Sequence, residues 1–244
     1  MSVVVAVSPN QSEIQTVLRA FLLDILPAGT AVVEGQDNRV AEPKGSDFVV
    51  FTCIQRPRLA TNIDEYVDAL FVGSIAAGVM TITGVEYGRL MTNSPVYGVG
   101  VTPGTKVTGQ LTGAPGGIGT YSVAPPQVIT PEYLAAGTGA LLQKTEIVFQ
   151  LDVHGPSSAD SAQAISTLFR DDYACEFFAA LDPNVAPLFA DDPRQMPFSN
   201  DQQQVENRWM IEAHIQANQT IVVGQQFADV IDVGVVSVDA TYPP

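Results

Sequence analysis

Apolar residues recur three and four positions apart at Ile14, Val17, Leu18, Phe21, Leu22 and Ile25, which predicts a helix with one buried face. Ser8-Pro9 or Ser12 opens it, because Pro9 suits a first helical position and Ser12 to Gln15 spells a capping box. Pro27 and Gly29 end it. Residues 30–34 then read as a strand, followed by polar turns at Gln36-Asp37-Asn38-Arg39 and Glu42-Pro43-Lys44-Gly45. The unbroken apolar run Phe48, Val49, Val50, Phe51 within 47–54 predicts a strand covered on both faces. A further strand begins at 63–71.

Beyond it the pattern changes. Short β-like runs at 79–83, 106–111 and 120–123 are separated by Thr102-Pro103-Gly104 and by Gly113-Ala114-Pro115-Gly116-Gly117. Dense turns between Val, Thr and Ile describe a small sandwich-like or barrel-like β module, and the apolar content argues against a disordered linker. The earlier pattern then resumes. Ile147, Phe149, Leu151 and Val153 alternate with Glu146, Gln150 and Asp152, and His154-Gly155-Pro156 ends that strand. Ser157 or Ser158 caps a helix that turns Ala162, Ile165, Leu168 and Phe169 inward. Asp171 or Asp172 caps a second, with Tyr173, Phe177, Phe178 and Leu181. Over 203–216 Val205, Trp209, Ile211, Ala213 and Ile215 alternate with Glu206, Arg208, Glu212 and His214, and 230–238 reads as a last, central strand.

The expected fold is α+β: a mixed, mainly antiparallel sheet with helices packed on one face, plus an inserted all-β module. The division follows composition. From 72 to 128 the chain carries only three charges, Glu86, Arg89 and Lys106, and twelve of its 20 glycines. The expected domains are a discontinuous core, 1–71 with 130–244, and a Gly/Thr-rich module at 72–129.

The net charge of −15 argues against a protein that grips a phosphate backbone, which needs clustered Lys and Arg; acidic walls instead let DNA pass without sticking. No apolar run reaches membrane-spanning length, so no membrane partner is expected. The first residues lack a basic signal-peptide region, and Cys53 and Cys175 sit in apolar contexts that favour buried free thiols over a disulfide. A cytosolic folding compartment fits these features.

Candidate chemistry is sparse. His154 and His214 lie on different strands, and metal ligation requires them to converge with a carboxylate; a strand-end and a solvated histidine are the simpler readings. Asp191-Asp192-Pro193-Arg194 could offer oxygens to Ca2+ or Mg2+, but EF-hand spacing is absent and an Asx turn before proline accounts for it. The Gly113–Gly119 loop lacks the Lys-Ser/Thr and the helix of a P-loop, and no Gly-x-Ser-x-Gly elbow occurs. The expectation is a non-enzyme with no catalytic, cofactor-binding or metal residues. A metal-assisted hydrolase built on Asp191, Asp192 and His214 is the least favoured alternative.

Several segments together resemble the neck and tail-terminator-like proteins of long-tailed bacteriophages. These are Gly35-Gln36-Asp37-Asn38-Arg39-Val40 with Glu42-Pro43, Arg58-Leu59-Ala60-Thr61-Asn62, and Gln150-Leu151-Asp152-Val153-His154-Gly155-Pro156, then residues 187–198 and 202–209. The resemblance covers most of 10–70 and 140–240. Residues 79–83, 100–108 and 116–123 resemble the small β modules of virion surfaces.

The resemblance implies a structural protein of the virion neck, assembled in the host cytoplasm. It implies a homo-oligomeric, usually hexameric, ring that caps the tail tube and docks it to the neck. Tail-tube and sheath subunits and head-completion or connector proteins are the implied partners, and DNA threads through without specific binding. A collar around the same joint is the alternative, as is a surface or glycan-binding role for the inserted module. The expected subunit contacts are Arg208 and Trp209 on the long strand, and Pro187, Phe189, Arg194 and Phe198 in the preceding loop.

Overall fold

The structure, a computed structural model, describes residues 6–35, 47–196, 198–199 and 205–224. The polar turns expected at 36–39 and 42–45 and the strand expected at 230–238 lie outside the described residues, as does the side chain of Phe198. β1 (Ala6–Ser8) leads into α1 (Gln11–Ile25), β2 (Ala31–Glu34) and β3 (Phe48–Gln55). β4 (Ile63–Ala76), β5 (Val79–Tyr87), β6 (Val96–Tyr97), β7 (Lys106–Gly113) and β8 (Gly119–Ala124) follow, and then the long β9 (Val128–His154). α2 (Ser158–Leu168) and α3 (Asp172–Leu181) precede β10 (Val185–Ala190), β11 (Arg194–Gln195), β12 (Phe198–Ser199), β13 (Val205–Glu206) and β14 (Arg208–Gly224). The fold is therefore mixed and mostly antiparallel sheet, with three helices among the described residues.

The described chain falls into two compact units: 65–140 with 222–224, and 6–64 with 141–221. β4 and β9 run through the positions where the composition changes, because extended backbone tolerates a change of side-chain type as long as its ladder continues.

In the unit around 65–140 the strand order is β4-β5-β8-β7, all antiparallel, and β6 pairs with the first half of β9. β4 and β5 are joined by Ala77-Gly78, both at positive φ (49° and 88°), the geometry of a tight turn matching strand twist. Its core gathers Phe71, Ile75, Met80, Ile82, Val96, Val107, Tyr121, Val123 and Leu134. The Tyr121 hydroxyl donates to the Gly117 carbonyl at 2.6 Å, and burial raises its pKa.

In the unit around 141–221, β2 lies parallel to β3, β3 antiparallel to β9, β9 beside β14, and β14 antiparallel to β10 and β11. Ile147, Phe149, Leu151 and Val153 of β9 and Ile211, Ala213, Ile215 and Ala217 of β14 enter one core with Val49 and Phe51 and with residues of all three helices. Phe21 sits at its aromatic centre, edge-on to Phe169, Phe177 and Phe178 with centroids 5.5–5.7 Å apart.

Three local expectations change. The cap of α1 is Asn10: its side chain accepts from the Glu13 amide at 3.1 Å, and Glu13 Oε2 accepts from the Asn10 amide at 2.7 Å. Pro9 therefore precedes the cap, and Ser12 already lies within the helix, where its carbonyl accepts the Thr16 hydroxyl. β3 is not covered on both faces: Val49 and Phe51 are core, whereas Val50 and Thr52 are half-buried beside the polar residues of β9. The strand expected at 203–216 is broken at Asn207 into β13 and β14. The helix caps at Ser157 and Asp171 stand where the sequence puts them, although only Asp171 caps with its side chain, accepting from the Tyr173 amide at 3.0 Å.

Candidate functional site

Alternation along β14 sends Ile211, Ala213 and Ile215 to the core and leaves Arg208, Glu212 and His214 on the opposite, half-buried face. On β9, Glu146, Gln150 and Asp152 share that opposite face. The result is a polar layer on the back of an apolar sheet, in which Arg208, Gln150 and Asp152, and His214 and Glu146, pair with one another. Arg208 donates through Nε and Nη2 to Asp152 Oδ1 at 2.9 and 2.7 Å, and Gln150 donates to Asp152 Oδ2 at 2.9 Å. Six residues further along β14 and six back along β9, His214 Nδ1 meets Glu146 Oε1 at 2.6 Å. Equal steps in opposite directions are the signature of directly opposed residues in an antiparallel ladder.

β10 completes this face through an irregularity. Its pairing with β14 shifts register between Pro187 and Phe189, so Pro187 is buried while Leu188 and Phe189 are both exposed. The slip turns Phe189 onto the polar side, where its ring stacks on His214 at 4.1 Å and 15°. The Asp191 amide donates to the Glu212 carbonyl at 2.9 Å, which sets Asp191 beside Glu212. Ligand atoms of Asp191, Glu212 and His214 all lie within 4.8 Å of one another, and each residue is half-buried. The Arg194 guanidinium stands 3.8 Å from Asp191 on a mostly exposed side chain.

The residues expected to matter fall into three environments. Arg208 is occupied within its own chain by Asp152, and Trp209 packs partly buried against the core. Pro187 is buried. Phe189 and Arg194 are exposed, in strands β10 and β11 and not in a loop. His214, read as solvated, is instead half-buried between Phe189 and Glu146. His154 ends β9 and stacks on Phe48 at 4.5 Å. Asp192 is almost fully exposed and is not part of the cluster, whereas Glu212 is; an acid and a histidine two apart on one strand face was the signal for it. Cys53 and Cys175 are free, with Cys53 half-buried and Cys175 exposed.

A family model described as phage neck terminator protein matches residues 104–241, more than half of the chain. The chain belongs to the phage neck terminator protein family. It is accordingly a structural component of the phage neck and of the virion, and its partners are other virion components. The matched segment takes in β7 to β14, hence the whole polar layer except the β3 side, and it includes the second half of the Gly/Thr-rich stretch. The segments at 35–43 and 58–62 that contribute to the resemblance lie outside it. A comparison with curated proteins gives no significant match. Among the described residues no helix is long and apolar enough to cross a membrane.

Proposed function

We propose that this chain is the tail terminator itself: a subunit of a closed, hexameric ring that caps the tail tube and docks it to head-completion proteins. The family match over 104–241 carries this reading. A closed ring needs two different patches that meet on successive copies. The proposed contact surface takes in Pro187 to Phe198 and the start of β14, with Phe189 and Arg194 among its exposed members and Arg208 and Trp209 half-buried. In this reading the helices cover one face of the sheet and the polar layer faces outward, toward neighbouring copies. The core is read as 1–71 with 130–244, and 72–129 as an inserted module.

The −15 charge supports a lumen through which DNA slides without adhering. No enzymatic step is assigned, and assembly takes place in the host cytoplasm with tube and sheath subunits. The test is genetic. Phage lacking this chain should yield heads without tails together with free tails of uncontrolled length. Tails of normal, uniform length that merely fail to join heads would move the chain to the collar.

A further inference from the structure

We propose that Asp191, Glu212 and His214 form a site for one divalent transition-metal ion, of which Zn2+ is the fitting representative. The donor set is one imidazole and two carboxylates, the mixture of nitrogen and oxygen that suits Zn2+ and its neighbours better than the hard ions Mg2+ and Ca2+, which take oxygen. Glu212 and His214 come from β14 and Asp191 from the residue just past the end of β10, its pairing partner, and the three donors already stand within 4.8 Å of one another.

The histidine is built for ligation. Glu146 Oε1 lies 2.6 Å from Nδ1, and the neutral ring that donates Nδ1–H to it would carry its lone pair on Nε2, the carboxylate–histidine arrangement found behind metal-bound imidazoles. Phe189, stacked at 4.1 Å, fixes the plane of the ring. The charge balance also calls for a cation. Asp191, Glu212 and Glu146 surround His214, and the Glu212 side chain has no hydrogen bond or ion pair among the described residues. Among the described residues the cation beside them is Arg194, 3.8 Å from Asp191 and mostly exposed, a pairing that an incoming ion displaces at little cost. Two carboxylates and a neutral imidazole make a neutral complex with a divalent ion, and water fills the remaining position.

This site adjoins Phe189 and Arg194 of the proposed ring contact but does not rest on that reading: a chain that binds Zn2+ yet stays monomeric keeps one and loses the other. The test is calorimetric titration of the full chain with Zn2+ and, separately, Mg2+. One Zn2+ per chain is expected, with no saturable Mg2+ binding. His214→Gln and Glu212→Gln should each weaken Zn2+ binding by at least about tenfold, and Glu146→Gln, acting through the histidine, by about 10- to 100-fold. Asp192→Asn should leave it unchanged. Glu212→Gln guards against misfolding, because that side chain has no bond to lose, and circular dichroism of each variant verifies the fold. Absence of Zn2+ binding up to millimolar concentration, or an affinity indifferent to His214→Gln and Glu212→Gln, overturns the proposal.

Discussion

Replacing Arg208 with Met removes the cation from the Arg208–Asp152 pair and keeps the aliphatic stem. Asp152 is only 8% exposed, so its carboxylate would keep just the Gln150 amide while buried. Breaking a fully buried pair costs about 3–5 kcal/mol. The Arg208 side chain is 27% exposed, so solvent already screens part of the interaction, and the cost is discounted to about 2–3 kcal/mol. The reverse change, Asp152→Asn, leaves a guanidinium that can turn toward water, and should cost less, about 1–2 kcal/mol. At roughly 2–4 °C per kcal/mol for a chain of this size, Arg208→Met should melt about 4–12 °C below the wild type. Trp209, the single tryptophan, adjoins the pair and packs on the same core, so its fluorescence reports this unit without requiring the whole chain to unfold in one step. An Arg208→Met melt within a degree of wild type, or an Asp152→Asn variant that is the less stable of the two, would refute the reasoning.

Three further outcomes are expected. Asn10→Ala should cost about 1 kcal/mol in urea unfolding, since both reciprocal bonds of the α1 cap are lost, and Ser12→Ala should cost much less. Phe21→Ala should cost about 3–5 kcal/mol, because three phenylalanine rings lose their common partner. For Tyr121 the fold holds the neutral phenol, so its contribution is complete below about pH 10 and falls as pH rises through the raised value. Tyr121→Phe should cost about 1 kcal/mol at neutral pH by losing the bond to Gly117 and should flatten that alkaline fall. Unfolding followed by far-UV circular dichroism in a Tyr173→Phe background checks it, since the hydrogen bond to Asp24 also raises the Tyr173 phenol.

Local structure was legible where one periodicity dominated. The apolar stripe from Ile14 to Ile25 gives α1, and the strict alternation at 147–153 and 209–215 gives the core faces of β9 and β14. The extent of β9 was not legible: Thr130-Pro131, Gly137 and Gly139 look like breakers, yet the strand runs from Val128 to His154. Breaker residues report local cost, and long ladders with two neighbours offset it. The polar layer was legible residue by residue, because alternation puts Arg208, Glu212 and His214 on one face. Their partners were not. Which acid meets which cation depends on the register between β9 and β14, and the burial of His214 depends on a register slip at Pro187 in a third strand. Proline inside an apolar run was the available hint of that slip. The family resemblance and the family match name the same family and overlap from 140 onward.

The central claim is a ring at the head–tail joint, and a cryo-electron microscopy map of the intact virion neck tests it most directly. The account predicts a single ring of six copies of this chain seated on the last tail-tube layer, beneath the connector, with the surface around Phe189 and Arg194 buried between adjacent copies. Density that places the chain outside the tube axis, or in a different part of the particle, would contradict it.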